Sequence, residues 1–161
     1  MKILVLDEDS ATAEVLNEVA QLSGSKIINI HNIDEAKNIL LNEEIDAVVS
    51  ERKIGNRPAV EILVYLRKQL NKDIPFIILS SSLTDQEKEY FTRLGADTVI
   101  EKPFNPLEVF FYITEILKER KGEEYVKERL IEEKIDKETA KSIIARIIEF
   151  IKKLLGIGKK D

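Results

Sequence analysis

Five short, unbroken apolar runs, each separated from the next by a helix-length amphipathic segment, constrain this chain more than any other feature. The runs cover residues 3–6, 27–30, 47–49, 76–79 and 98–100. None alternates apolar with polar residues, so each strand is expected to be covered on both faces, the habit of a parallel sheet flanked by helices. Segments 10–23, 34–42, 58–70, 84–93 and 106–118 supply the helices. Two carry explicit start signals. Thr84 with Glu87 three residues on makes a capping box, and Asn105 places an N-cap before Pro106 at the first helical position. The repeated strand–helix alternation predicts a doubly wound α/β domain with a five-stranded parallel sheet and right-handed crossovers.

Composition narrows the chemistry. The 161 residues include no cysteine and one histidine, His31. A disulfide scaffold, a thiolate or His-cluster metal site and a cysteine nucleophile are therefore excluded, and His31 is expected to be structural or exposed. The opening MKILVLDED runs from Met into apolar residues and then acids, without the basic and long apolar regions of a secretory signal, so a cytoplasmic protein is expected. Residues 1–121 carry 15 Lys and Arg against 21 Asp and Glu, whereas residues 122–161 carry 10 against 9. An acidic body repels phosphates, so nucleic acid is not an expected partner.

In doubly wound sheets function gathers beyond the carboxyl ends of the strands. There this chain places Asp7-Glu8-Asp9, Ser50-Glu51, Ser80-Ser81-Ser82 and Glu101-Lys102-Pro103. No glycine-rich phosphate loop follows the first run, and three carboxylates there would repel a pyrophosphate. Clustered carboxylates suit Mg²⁺ instead. The plain alternative is that the three acids only cap the first helix.

These residues, in this order and near this spacing, resemble the receiver domains of two-component response regulators. The resemblance covers about residues 1–120 and rests on Asp7 and Glu8, the stretch IDAVVSE ending at Glu51, Ser80, and LGADTVIEKPF with Lys102-Pro103. It implies a flavodoxin-like receiver fold, Mg²⁺ held at Asp7 and Glu8, phosphoryl transfer from a histidine kinase to the acid after the third strand, phosphoryl contacts from Ser80 and Lys102, and a cis Lys102-Pro103 bond.

Departures from the pattern shape the functional expectation. Glu51 stands where the family carries its phosphoacceptor aspartate, and its extra methylene displaces the carboxylate by about one bond. A shift of about 1 Å can cost roughly 100-fold in a positioned transfer, so Glu51 is expected not to be phosphorylated. Its longer reach could instead hold charge permanently beside Lys102 and Ser80, as a phosphomimetic would. Val99 occupies the position of the family's aromatic switch residue. Lys53 sits where a backbone carbonyl helps hold the metal, and two readings stay open: its ammonium competes with Mg²⁺, or it faces solvent. ILVLDEDS also resembles the Asp-x-Asp start of haloacid-dehalogenase phosphotransferases, with Asp7 as nucleophile, but the further acidic strand end which that family implies is missing after Lys102-Pro103.

Residues 122–161 read as a helical tail to the receiver-like body of residues 1–121. Gly122 interrupts the fifth helix; Tyr125, Val126, Leu130 and Ile131 follow. Asp136 is a good N-cap for a last helix with a stripe of Ile143, Ile144, Ile147, Ile148, Ile151, Leu154 and Leu155. At roughly 1.5–3 kcal/mol each, these aliphatics must be buried, on the receiver, on the preceding helix or on another subunit, so a helical hairpin and a dimer both stay open. Forty residues are short for a winged-helix output domain, and Glu149 and the lack of tryptophan argue against a membrane-surface helix. The expectation is thus an atypical, non-enzymatic receiver acting as a protein-interaction module in a two-component phosphorelay. It would bind a signalling protein or histidine kinase, or dimerise through its tail or its fourth and fifth helices. The alternative is a working receiver with Mg²⁺-dependent phosphorylation and the tail as output.

Overall fold

The computed structural model describes residues 1–129 and, beyond them, Ala145, Glu149 and Lys152. In chain order the first elements are β1 (Lys2–Leu6), α1 (Ser10–Ala20), β2 (Lys26–Ile30), α2 (Ile33–Asn42) and β3 (Ala47–Ser50). A small hairpin follows, β4 (Lys53–Ile54) and β5 (Arg57–Pro58), and then α3 (Val60–Val64). The remaining elements are β6 (Phe76–Ser80), α4 (Asp85–Arg93), β7 (Thr98–Glu101), α5 (Pro106–Lys121) and α6 (Glu123–Arg129). The five longer strands form one parallel sheet in the order β2-β1-β3-β6-β7.

The unbroken apolar runs have a direct structural reason. Along β1, Ile3 and Val5 point into a layer with Val15, Leu16, Val109 and Ile113 from α1 and α5. Leu4 and Leu6 point the other way, into a layer with Ala36, Leu40, Ile62 and Leu63 from α2 and α3. Both faces of the sheet are covered, so alternate residues have no solvent side to face. The expected caps are in place: Thr84 and Glu87 form the capping box of α4, and Asn105 accepts from the Leu107 N–H ahead of α5. The Lys102-Pro103 bond is cis.

One stretch departs from the expected helix at 58–70. Residues 53–58 fold as the β4–β5 hairpin, so α3 begins at Val60, and after Val64 the helix widens into a π-turn over Tyr65–Gln69. The turn Ile54-Gly55-Asn56-Arg57 places Gly55 at φ +61°, a left-handed conformation that a two-residue hairpin asks of its first central residue and that glycine adopts freely. Ile54 anchors the hairpin by inserting into the second apolar layer.

At the opposite, amino-terminal edge of the sheet the chain turns at Gly122 (φ +90°) and α6 folds back onto the body. Val126 is 4% exposed and joins the same apolar layer as Ile3 and Leu117. The Tyr125 hydroxyl donates to Asp46 Oδ1 at 3.0 Å, while Asp46 Oδ2 accepts the Lys2 N–H at 2.7 Å. On the other side of the turn Arg120 donates to the Asp73 carbonyl and the Asp97 carboxylate, which also accepts from Arg67 at 3.2 Å and from the Phe76 N–H at 2.9 Å. Ala145, Glu149 and Lys152 are helical and exposed, with Lys152 3.8 Å from Glu149. Leu130, Ile131 and the stripe from Ile143 to Leu155 lie outside the described residues. No helix among the described residues is long and apolar enough to cross a membrane.

Candidate functional site

β1 and β3 lie side by side at the centre of the sheet, while the chain continues from β1 to the edge strand β2 on the far side. That reversal opens a crevice at their carboxyl ends. Asp7 follows β1, Glu51 follows β3, and Lys102 follows β7. Backbone bonds hold the strand ends in register: the Glu51 N–H donates to Leu6 O at 2.8 Å and the Lys102 N–H to Ser80 O at 2.9 Å.

Lys102 lies at the middle of the site. Its Nζ is 2.7 Å from Asp7 Oδ2 and 3.1 Å from Glu51 Oε2. Asp7 is 4% exposed; its Oδ2 also accepts the Thr12 hydroxyl at 2.7 Å, and its Oδ1 accepts the Asp9 N–H at 2.9 Å. Burial pushes the Asp7 carboxyl up, but the bonds from Lys102, Asp9 and Thr12 outweigh it and hold its pKa below the ordinary value. Burial likewise works against the Lys102 ammonium, and the bonds to Asp7 and Glu51 raise its pKa despite it. Glu51 turns its other oxygen to the Arg52 N–H at 2.8 Å.

The remaining strand-end residues divide. Glu8 leaves the cluster: its Oε1 accepts the Gly55 N–H of the β4–β5 hairpin at 2.7 Å. Asp9 is the N-cap of α1, accepting the Ala11 N–H, so the capping role falls to one acid of the three. Ser80 is buried at the end of β6, and among the described residues no hydrogen bond joins its hydroxyl to Glu51 or Lys102. Lys53 is exposed in β4 and forms no ion pair with the acids among the described residues. Val99 is half-buried in β7 and packs with the second apolar layer. His31 is exposed and its Nδ1–H donates to the Asp7 carbonyl at 2.8 Å.

Three contributors were missed in the sequence: Thr12, Gly55 and the Arg52–Glu87 ion pair at 2.9 Å, which links the Glu51 loop to the capping box of α4. Gly55-Asn56 between two short runs is a recognisable hairpin signal. Thr12 and Arg52 left none, because only the fold shows where their side chains turn.

Mg²⁺ favours octahedral oxygen ligands at about 2.0–2.1 Å and usually takes one or two carboxylates together with water. The donor set as arranged does not fit it. The Lys102 ammonium already stands between the Asp7 and Glu51 carboxylates, and Glu8 is turned to the Gly55 N–H of the hairpin. Among the described residues no three acidic or histidine side chains converge on a common point suited to a metal ion.

A family model for the response regulator receiver domain matches residues 3–114. The chain belongs to this family. Among curated proteins, the receiver is 28% identical over 117 residues to the transcriptional regulatory protein CpxR of Escherichia coli strain K12, covering 73% of this chain and 49% of that protein. It is 23% identical over 117 residues to the phosphate regulon transcriptional regulatory protein PhoB of Pseudomonas aeruginosa, covering 72% and 51%. The chain thus spans about half the length of these curated relatives. Among solved structures, the receiver domain of the Francisella response regulator 1452 superposes with a TM-score of 0.67 at 26% identity, covering 74% of this chain and 98% of that one. A CheY-like receiver domain protein from Methanospirillum hungatei superposes with a TM-score of 0.68 at 22% identity, covering 76% and 97%. The receiver's five-stranded parallel sheet and flanking helices are the fold these chains share.

Proposed function

We propose that this receiver is a protein-docking module of two-component signalling whose acid pocket is held in one state by its own ion pairs, without phosphorylation at residue 51. The observation that carries the reading is the engagement of Glu51: one carboxylate oxygen on Lys102 at 3.1 Å, the other on the Arg52 N–H at 2.8 Å. A carboxylate fixed from both sides is not free to align on an incoming phosphorus, and misplacement by about 1 Å costs roughly 100-fold. Asp7 is buried and held by Lys102, Thr12 and the Asp9 N–H, which argues against an aspartyl phosphotransferase as well. We assign the chain no catalytic role.

Docking is proposed at the α4–β7–α5 face, with a second copy of the chain as occupant. Tyr90, Leu107 and Phe111 are exposed on α4 and α5. The Lys88–Glu101 ion pair, Arg93 and Glu108 provide both signs of charge on the same elements, so the face can complement itself about a two-fold axis.

Incubation of the full chain with Mg²⁺ and a small phosphodonor, followed by intact mass measurement, tests the central reading. No mass gain is expected. A hydroxylamine-labile gain that disappears in Glu51→Gln would instead identify a working phosphorelay receiver.

A further inference from the structure

We infer that the acid pocket of this receiver carries its own cation, the Lys102 ammonium, and admits no divalent metal ion into direct contact with its carboxylates. The inference rests on the same view of the pocket as a closed ion cluster, but it concerns a different ligand and fails separately.

Two observations support it independently. The first is the Lys102 ammonium itself, placed between the two acids nearest the crevice. Lys102 bonds Asp7 and Glu51 together, and Thr12, the Asp9 N–H and the Arg52 N–H add further bonds that orient these two carboxylates. A divalent ion entering between them would have to displace the ammonium or lie beside its positive charge. Lys102 is no loose surface lysine that could swing aside, because two carboxylates hold its ammonium and its side chain is 20% exposed.

The second is the diversion of Glu8. Its carboxylate is clipped to the Gly55 N–H, and the hairpin carrying that N–H is fixed from several sides. Ile54 is buried in the second apolar layer, and the Ala59 N–H closes the hairpin base on Arg52 O at 2.9 Å. Arg57 reaches Asp34 on α2 and Glu61 on α3, each at 2.9 Å. Glu8 can turn into the pocket only by giving up this bond to the hairpin. Mg²⁺, which sheds water reluctantly and demands near-ideal geometry, gains little from a site that must first be dismantled.

Replacing the built-in cation should therefore create a divalent site. The test is titration of the full ¹⁵N-labelled chain with Mn²⁺, whose paramagnetism broadens nearby amide signals, with Mg²⁺ as competitor. In the wild-type chain the Asp9, Arg52 and Gly55 amide signals are expected to show no saturable broadening at millimolar Mn²⁺, and Mg²⁺ should leave the melting temperature unchanged. In Lys102→Met, broadening should saturate, reverse with Mg²⁺, and be matched by a Mg²⁺-dependent rise in melting temperature. Saturable, Mg²⁺-reversible broadening in the wild type would overturn the inference whether or not the variant folds. A folded Lys102→Met chain that gains no binding would overturn the assignment of Lys102 as the occupant. Ion binding without a phosphodonor mass gain would sink this inference alone, and a mass gain without ion broadening would sink the unphosphorylated reading alone.

Discussion

Lys102 neutralises two carboxylates that belong to different strands, so its loss is felt at both. Breaking a buried ion pair from one side typically costs about 3–5 kcal/mol, because the uncompensated charges remain in place. Lys102→Met is expected to lose stability of that order in urea unfolding at neutral pH, and Glu51→Gln in the same background should recover part of it by removing one of the stranded charges. Thr12→Val should cost less, about 1–3 kcal/mol, since Asp7 keeps its other donors. The pH dependence follows from the directions of the two shifts. The lowered Asp7 carboxyl contributes stability that is fully present above its ordinary value of 3.8 and is lost as pH falls through the lower folded value. The raised Lys102 ammonium contributes stability that is complete below its ordinary value of 10.5 and is lost as pH rises through the higher folded value. Acid unfolding of Asp7→Asn followed by circular dichroism should accordingly show a shallower fall below pH 3.8 than the wild type. Equal slopes would mean that Asp7 titrates alike in the folded and unfolded chains.

At the scale of elements, α6 behaves as part of the body despite lying beyond Gly122. Burying a valine stabilises by about 1.5–3 kcal/mol, and the Tyr125–Asp46 bond adds about 0.5–1.5 kcal/mol. A chain ending at Gly122 should therefore melt measurably below one ending at Arg129, with Val126→Ala and Tyr125→Phe falling between them in thermal denaturation. Coincident midpoints would mean that α6 only rests on the sheet. The same scale separates what the sequence reveals from what it hides. The five strands, their order along the chain and the caps of α4 and α5 are legible because apolar runs, prolines and capping pairs are local signals. The placing of Asp7, Glu51 and Lys102 on one rim is legible because parallel strands bring their carboxyl ends together. The departure of Glu8 is not, since it depends on a hairpin whose turn happens to present an N–H to it. Nor is the docking of α6 readable in advance: Tyr125 and Val126 announce an apolar face without saying what lies beneath it.

At the scale of the molecule, the two apolar layers leave few large apolar side chains of the described residues in water, and three of these, Tyr90, Leu107 and Phe111, stand on α4 and α5. If a second copy covers them, Phe111→Glu should convert a dimer to a monomer in size-exclusion chromatography with light scattering while leaving the melting curve of the dilute chain nearly unchanged. A wild-type chain that is monomeric at high concentration would refute that occupant. The route out of the body carries a mechanical consequence. The turn at Gly122 is pinned on one side by Arg120 to Asp73 and Asp97, and on the other by Tyr125 to Asp46. These anchors sit just before β6, β7 and β3, so the hinge one would expect at a glycine is braced against the sheet like a bracket bolted to a beam. A pull applied at Arg129 would pass through these anchors and be borne by the strands together, without unfolding the turn at Gly122 first.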